Sequence, residues 1–201
     1  MIRHADAAHN RGATLCGGFC DLPLTELGRK QVELLRYRLL NEKELAGCYS
    51  SPLKRALETS TAAPPTLSPV LLDSLREIQA GELDGLPIDA VQARYPETWR
   101  RNLARSDDDF AWPGGETYGT FRRRALLAMD DIASRHPGQR ILVFTHAGTI
   151  SQVVGALAGT PPARWDLHRP ANASITEVLW GRAGGELIAF DDQRHLEVPV
   201  C

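Results

Sequence analysis

Two apolar segments, separated by most of the chain, each run straight into a histidine. The sequence opens Met1-Ile2-Arg3-His4, and Ile141-Leu142-Val143-Phe144-Thr145 leads directly into His146. A short apolar run bounded by turn signals reads as a buried strand. Open α/β sheets bind their ligands at the carboxyl ends of such strands. Two imidazoles delivered there, one with an arginine beside it, point to a site for an anionic substrate. One imidazole can attack while the other helps hold what is attacked. Only Met1 and Ile2 precede Arg3, fewer than the roughly five residues of an ordinary central strand. The expectation is a short first strand or a natural start further upstream.

Between these segments, strand-like and helix-like stretches alternate. Residues 5 to 24 form a loop rich in Gly and Ala. Thr25 is placed to cap a helix ending near Asn41, with Leu27, Leu34, Leu35 and Leu39 toward one side. Gly47 to Tyr49 reads as a second strand. Ser51-Pro52 opens a further helix, with the serine as cap and the proline in the first turn, and Pro64-Pro65 ends it. Val70 to Leu72 is a short strand leading to Glu77. Residues 78 to 115 differ in texture: they carry glycines, Pro87, Pro96, the run Asp107-Asp108-Asp109 and then Trp112-Pro113-Gly114-Gly115. Two short helices are expected there, Ile88 to Arg94 and Glu97 to Ala104, as a small insertion over the active-site mouth. Thr117 caps the next helix, whose Phe121, Ala125, Ala128, Met129, Ile132 and Ala133 recur at helical spacing until His136-Pro137-Gly138 stops it. Strand 141 to 145 follows, then a helix carrying Ile150, Val153, Val154 and Leu157. Ile175 to Trp180 and Glu186 to Phe190, joined by Gly184-Gly185, read as a terminal hairpin. The fold class is therefore α/β, a three-layer sandwich with a mostly parallel central sheet flanked by helices. One domain spanning 1–201 is expected, with the insertion at about 78–115.

Composition narrows the function. The 201 residues suffice for one domain with a proper core, and the 43% hydrophobic and 24% charged shares are those of a globular protein. A formal net charge of −2 gives no general pull toward nucleic acid or anionic membrane, so any positive site is local. The arginines at 100, 101 and 105 and at 122 to 124 are interleaved with acids and read as solvated helix faces. No apolar stretch is long enough to span a bilayer and no signal-peptide core is visible. A cytoplasmic location is expected. Cys16 and Cys20 stand close together without a second pair, a pattern for which free thiols are the expectation.

Phosphoryl transfer requires an in-line nucleophile, fixed positive charge around the equatorial oxygens, and a proton donor for the leaving group. His4 can be the nucleophile. Arg3, Arg55 and His146 can supply charge-assisted hydrogen bonds, guanidinium forks being suited to phosphate. Asn10 adds a neutral donor, and backbone amides after each strand, Ala147 among them, add more. Glu77 can protonate the leaving oxygen and then deprotonate the water that clears the enzyme. No metal and no cofactor is called for, because arginines neutralise the charge. Glu116 can equally be a charge on a helix N-terminus.

At these residues the chain resembles the histidine phosphatase superfamily, the phosphoglycerate mutase-like branch, over nearly its whole length. That family opens with a strand ending Arg-His and an Asn six residues on, here Arg3-His4 and Asn10. Its Gly-x-x-Asp-x-Pro-Leu-Thr-x-x-Gly-x-x-Gln element is matched at Gly18, Asp21, Pro23, Leu24, Thr25, Gly28 and Gln31. Ser-Pro-Leu-x-Arg-Ala-x-x-Thr stands at Ser51 to Thr59 and carries Arg55. Glu77, Gly81 and Gly85 match a further element, with Leu83 where tryptophan is usual. Pro113 to Thr117 match Pro-Gly-Gly-Glu-Ser, followed by Phe121 and Arg124. His146 is the second histidine, and Asn172 to Ser174 give Asn-x-Ser. The resemblance implies that His4 becomes phosphohistidine, that Arg3, Arg55 and His146 hold the phosphoryl group, and that Glu77 donates and accepts the proton. Ala5 and Ala147 follow the histidines where glycine is commonest, which narrows the backbone approach without removing a functional group.

The expected activity is a metal-independent phosphomonoesterase acting on a small phosphorylated metabolite. Cys16-Gly17-Gly18 before Asp21, and His146-Ala147-Gly148, are similar to α-ribazole phosphatases, which makes α-ribazole 5′-phosphate the candidate substrate. The alternatives are a cofactor-dependent phosphomutase of the phosphoglycerate mutase type, a metallohydrolase built on His4, Asp6, His9 and His146, and a non-catalytic phosphoryl-binding module. The partner is expected to be a small-molecule phosphomonoester, with no nucleic acid and no membrane. The terminal hairpin offers an edge strand through which a homodimer would form.

Overall fold

The computed structural model of the protein describes residues 1–8, 14–181 and 184–197. Six strands form one sheet, in the order β3-β2-β4-β1-β5-β6. They are β1 Ile2–Arg3, β2 Leu45–Ser50, β3 Val70–Leu71, β4 Arg140–Thr145, β5 Ile175–Gly181 and β6 Gly184–Asp192. Helices α1 Glu26–Leu40, α2 Lys54–Ser60, α3 Ile88–Arg94, α4 Pro96–Ala104, α5 Tyr118–Arg135 and α6 Ala147–Leu157 connect them, with short 3-10 turns between. Strands β3, β2, β4 and β1 run parallel, and β5 and β6 add an antiparallel hairpin. The sheet is thus mixed, with its parallel part at the site.

Side-chain alternation along the central strands sorts the core into two layers. Ile2, Cys48, Leu142 and Phe144 face α1 and pack on Val32, Leu35 and Leu39. Met1, Tyr49 and Val143, one residue out of phase, face α5 and α6 and pack on Ala125, Met129, Ile132, Ile150 and Val153. Helices therefore cover both faces. Thr25 and Thr117 cap α1 and α5 as their sequence positions predict, accepting from the amides of Gly28 and Thr120, each at 3.0 Å.

Four expectations change. On α1, Leu27 is exposed, and Val32, Leu35 and Leu39 form the buried stripe, because the helix turns its face one step later. Helix α2 begins at Lys54 with Leu53 at its cap position and no side-chain cap. The Ser51 hydroxyl is engaged elsewhere. Gly184 and Gly185 belong to β6, pairing with Gly181 and Trp180. Cys16 and Cys20 are joined as a disulfide, their Cα atoms 5.0 Å apart, because the loop folds back on itself.

Residues 78 to 115 carry α3 and α4 as the spacing predicts, and they build a small core of their own. Ala80, Leu83, Val91, Phe110 and Trp112 gather there with Tyr118 and Ala163. Among the described residues no helix is long and apolar enough to cross a membrane.

Candidate active site

Strand register creates the site. In the parallel pair β1–β4, Ile2 lies opposite Phe144 and Arg3 opposite Thr145. The next residue of each strand is a histidine, so the two imidazoles leave the sheet side by side. The His4 amide donates to the Thr145 carbonyl at 2.9 Å, and the two rings lie 5.3 Å apart between centroids, tilted at 58°. On the other side of β4, Ser50 of β2 pairs with Phe144. That register brings Ser51 to the same edge, where its hydroxyl meets His146 Nε2 at 2.8 Å. Ser50 also pairs with Leu71 of β3, and the chain then turns through Leu75 to reach Glu77.

The His4 ring is oriented by backbone. A carbonyl oxygen only accepts, so the contact of His4 Nδ1 with the Ala5 carbonyl at 2.8 Å puts the proton on Nδ1 and leaves Nε2 with its lone pair. Asn172 Nδ2 donates to the His4 carbonyl at 3.0 Å. The loop after His4 is pinned by Gln31, Thr25 and Thr59. Gln31 Oε1 accepts from the Asp6 amide at 2.8 Å, and Thr25 Oγ1 donates to Asp6 Oδ2 at 2.5 Å. A Cβ on Gly28 would stand 2.0 Å from the Asp6 carbonyl oxygen, so only glycine lets α1 approach this closely. Thr59 accepts from the Ala5 amide at 2.9 Å and ties this loop to α2.

Positive charge surrounds the imidazoles. Arg3 and Arg55 are both buried. Arg3 donates through Nη1 to the Pro170 carbonyl at 2.7 Å, and Arg55 donates through Nη1 to Cys20 O at 2.6 Å and through Nη2 to Gly17 O at 3.1 Å. The Nε atoms of both are buried with no hydrogen-bond partner among the described residues. A buried donor without an acceptor is costly, roughly 1–3 kcal/mol, and an oxyanion bound between these two groups would satisfy both. Burial pushes the Arg3 guanidinium down to about 10, with Arg169 acting the same way and Glu77 opposing. Burial likewise lowers Arg55, again against the pull of Glu77. At about 10, Arg3 remains cationic at neutral pH.

Glu77 closes the site. Its carboxylate accepts from the Gly148 amide and from its own neighbour Ile78, each at 3.0 Å. A Cβ at Gly148 would stand 2.1 Å from Glu77 Oε1, so the glycine of α6 makes room for the acid. Ala147, the first residue of α6, is buried beside it.

The structure thus gathers Arg3, His4, Arg55, Glu77, His146 and Ala147 at one sheet edge. Asn10 and His9 lie outside the described residues. Among the described residues no three His, Cys, Asp or Glu side chains group as metal ligands.

Residues the sequence placed in other roles also serve this edge. Ser51 is one. Arg124 is another, expected on a solvated face but half-buried. It donates to the carbonyls of Ser74 at 3.0 Å, Arg76 at 2.9 Å and Glu77 at 3.3 Å. It also pairs with Glu116, whose Oε1 accepts from the Gln79 amide at 2.9 Å. Glu116 is therefore more than a charge on a helix end. Together the pair grips the backbone on both sides of Glu77. The only sequence signal was their place after Pro-Gly-Gly.

The sequence profile of the histidine phosphatase superfamily (branch 1) matches residues 1–193. Phosphoglycerate mutase-like protein 4 of Arabidopsis thaliana is 33% identical over 182 residues, covering 89% of this chain and 74% of that protein. Among solved structures, Bacillus stearothermophilus YhfR superposes with a TM-score of 0.88 at 29% identity, covering 98% of this chain and 97% of that one. A mycobacterial glucosyl-3-phosphoglycerate phosphatase superposes with a TM-score of 0.80 at 27% identity, covering 96% and 97%. With the family's motifs converging on one sheet edge, this chain belongs to branch 1 of the histidine phosphatase superfamily and is an enzyme of the phosphatase type.

Proposed function

We propose that the protein hydrolyses a small phosphomonoester, independently of metal, through a phosphohistidine on His4. The carrying observation is the β1–β4 register, which sets two imidazoles 5.3 Å apart between two buried guanidiniums with unpaired Nε groups. His4 Nε2 attacks phosphorus in line, forming the N–P bond as the P–O bond to the leaving alcohol breaks. Arg3, Arg55 and His146 hold the equatorial oxygens, with the amide of Ala147 at the start of α6 as a further donor. Glu77 gives its proton to the departing oxygen, then takes one from the water that attacks the phosphohistidine, releasing orthophosphate and restoring His4. Guanidinium charge does the work that a cation does elsewhere, so turnover should be unchanged in EDTA.

The substrate reading is a soluble phosphorylated metabolite in the cytoplasm, with α-ribazole 5′-phosphate the first candidate. The motif likeness at Cys16-Gly17-Gly18 supports the α-ribazole candidate, and the mycobacterial neighbour, a glucosyl-3-phosphoglycerate phosphatase, supports only the broader class of small phosphorylated metabolites. The Arabidopsis relative's name favours a second reading, internal phosphoryl transfer within phosphoglycerate. A turnover panel separates them. It should contain α-ribazole 5′-phosphate, phosphosugars, phosphoserine and 3-phosphoglycerate, the last with and without a bisphosphorylated primer. Orthophosphate release from one ester above all others supports hydrolysis. Isomerisation of 3-phosphoglycerate without phosphate release would replace it with the mutase reading.

A further inference from the structure

The loop closed by Cys16 and Cys20 is the only described partner of both Nη groups of Arg55. Gly17 O and Cys20 O each accept one of them. The same loop is fastened from outside by Asp84, whose two carboxylate oxygens accept from the amides of Gly17 and Phe19, each at 2.7 Å. It is also pressed against the backbone that leads away from Glu77. The Gly18 amide donates to Ile78 O at 2.7 Å, and a Cβ on Gly17 would come within 2.4 Å of that oxygen. Cys16 and Cys20 are both half-buried residues and Phe19 between them is 63% exposed, so the loop that carries the bond faces solvent.

We propose that the Cys16–Cys20 disulfide is a redox-responsive positioning element for Arg55, with Asp84 as the positioning residue that holds the closed loop in register. This rests on the reading of Arg55 as a phosphoryl ligand. The argument is one of constraint. A five-residue ring fixes two carbonyls at the spacing of one guanidinium fork, and an open chain of the same residues does not. Released from those carbonyls, a buried guanidinium rotates toward any other acceptor, and small displacements of a positioning group cost binding steeply. Reduction proceeds by thiol–disulfide exchange with a dithiol reductant. Its thiolate attacks one sulfur and breaks the Cys16–Cys20 bond, giving a mixed disulfide. Its second thiol then closes its own disulfide, and Cys16 and Cys20 leave as thiols carrying the two electrons and two protons. Cys48 does not interfere, because it is buried and its thiol is pushed up to about 12.

The test uses the full chain, air-oxidised and then treated with dithiothreitol. Thiol titration should rise by two per chain. On p-nitrophenyl phosphate, KM should rise by about ten- to a hundredfold with a smaller change in kcat. The Kd for inorganic phosphate should rise in parallel, and both should return on reoxidation. A C16S/C20S double variant should sit at the reduced level and ignore the reductant, and Asp84→Asn should raise KM in the oxidised chain without altering the thiol count. Equal KM and phosphate Kd in the oxidised and reduced chain would overturn the proposal. So would an air-oxidised chain that gains no thiols on reduction, or a double variant that still responds. An oxidised chain that turns over no ester, yet binds phosphate in a redox-dependent way, sinks the hydrolase reading and leaves this one standing.

Discussion

The two halves of the site are built in different ways. His4 and His146, both buried, directly follow adjacent parallel strands, and their separation is set by the backbone ladder Ile2–Phe144 and Arg3–Thr145. Arg55, in the first turn of α2, and Glu77, in the loop that follows β3, lie outside that ladder. They are aimed by side chain–backbone bonds with Gly17, Cys20, Gly148 and Arg124, contributed by segments from 35 to 71 positions away. The imidazole half is as rigid as the sheet, and the guanidinium–carboxylate half is as rigid as a handful of hydrogen bonds. Changes in the loops can therefore alter the guanidinium–carboxylate half without moving the two imidazoles.

Damage to the sheet should strike both halves at once. Phe144 is fully buried and pairs with Ile2 and Ser50. Phe144→Ala should cost about 3–5 kcal/mol of unfolding free energy. In denaturant melts it should lower the midpoint and weaken phosphate binding together, whereas loss of stability with a fully intact site would show that register does not depend on this layer. Damage to one loop should spare the fold. Arg55→Ala should lower kcat/KM by about 10²–10³ with a near-native melt, and a loss under tenfold would place the phosphoryl group elsewhere. Smaller still is the effect expected where a residue acts through another. Arg124→Gln frees the carbonyls of Ser74, Arg76 and Glu77, and should reduce kcat by about ten- to a hundredfold while leaving the Kd for inorganic phosphate near its native value. Its pH–rate profile should shift, and Arg124→Lys should recover part of the loss. A uniform rise in phosphate Kd with an unmoved profile would make Arg124 a mere scaffold residue.

The same division explains what was legible in the sequence. Thr25 and Thr117 at their caps, the stripe of Phe121, Ala125, Ala128 and Ile132, and the strand leading into His146 are all local patterns, and each lies where spacing puts it. The parallel arrangement of four strands followed from their alternation with helices. Ser51 was misread because a serine before Pro52 looks like a cap, while its actual partner, His146, is 95 positions away. Arg124 was misread because a run of three arginines carries no mark of which one turns inward to Glu116. Cys16 and Cys20 could not be paired from spacing, since the pairing depends on how the intervening loop folds back, and that loop is held by a residue as distant in sequence as Asp84. Glu77 was found by motif order, and the packing of Gly148 against it could not be read without the fold.

The most direct test is capture of the covalent intermediate. Wild-type protein mixed with a labelled phosphomonoester and quenched in alkali should carry phosphate that is stable to base, labile to acid, and located by peptide mass analysis on His4. His4→Ala should carry none and lose at least about 10⁴-fold in turnover. Label on another residue, or unimpaired turnover in the alanine variant, would contradict the account.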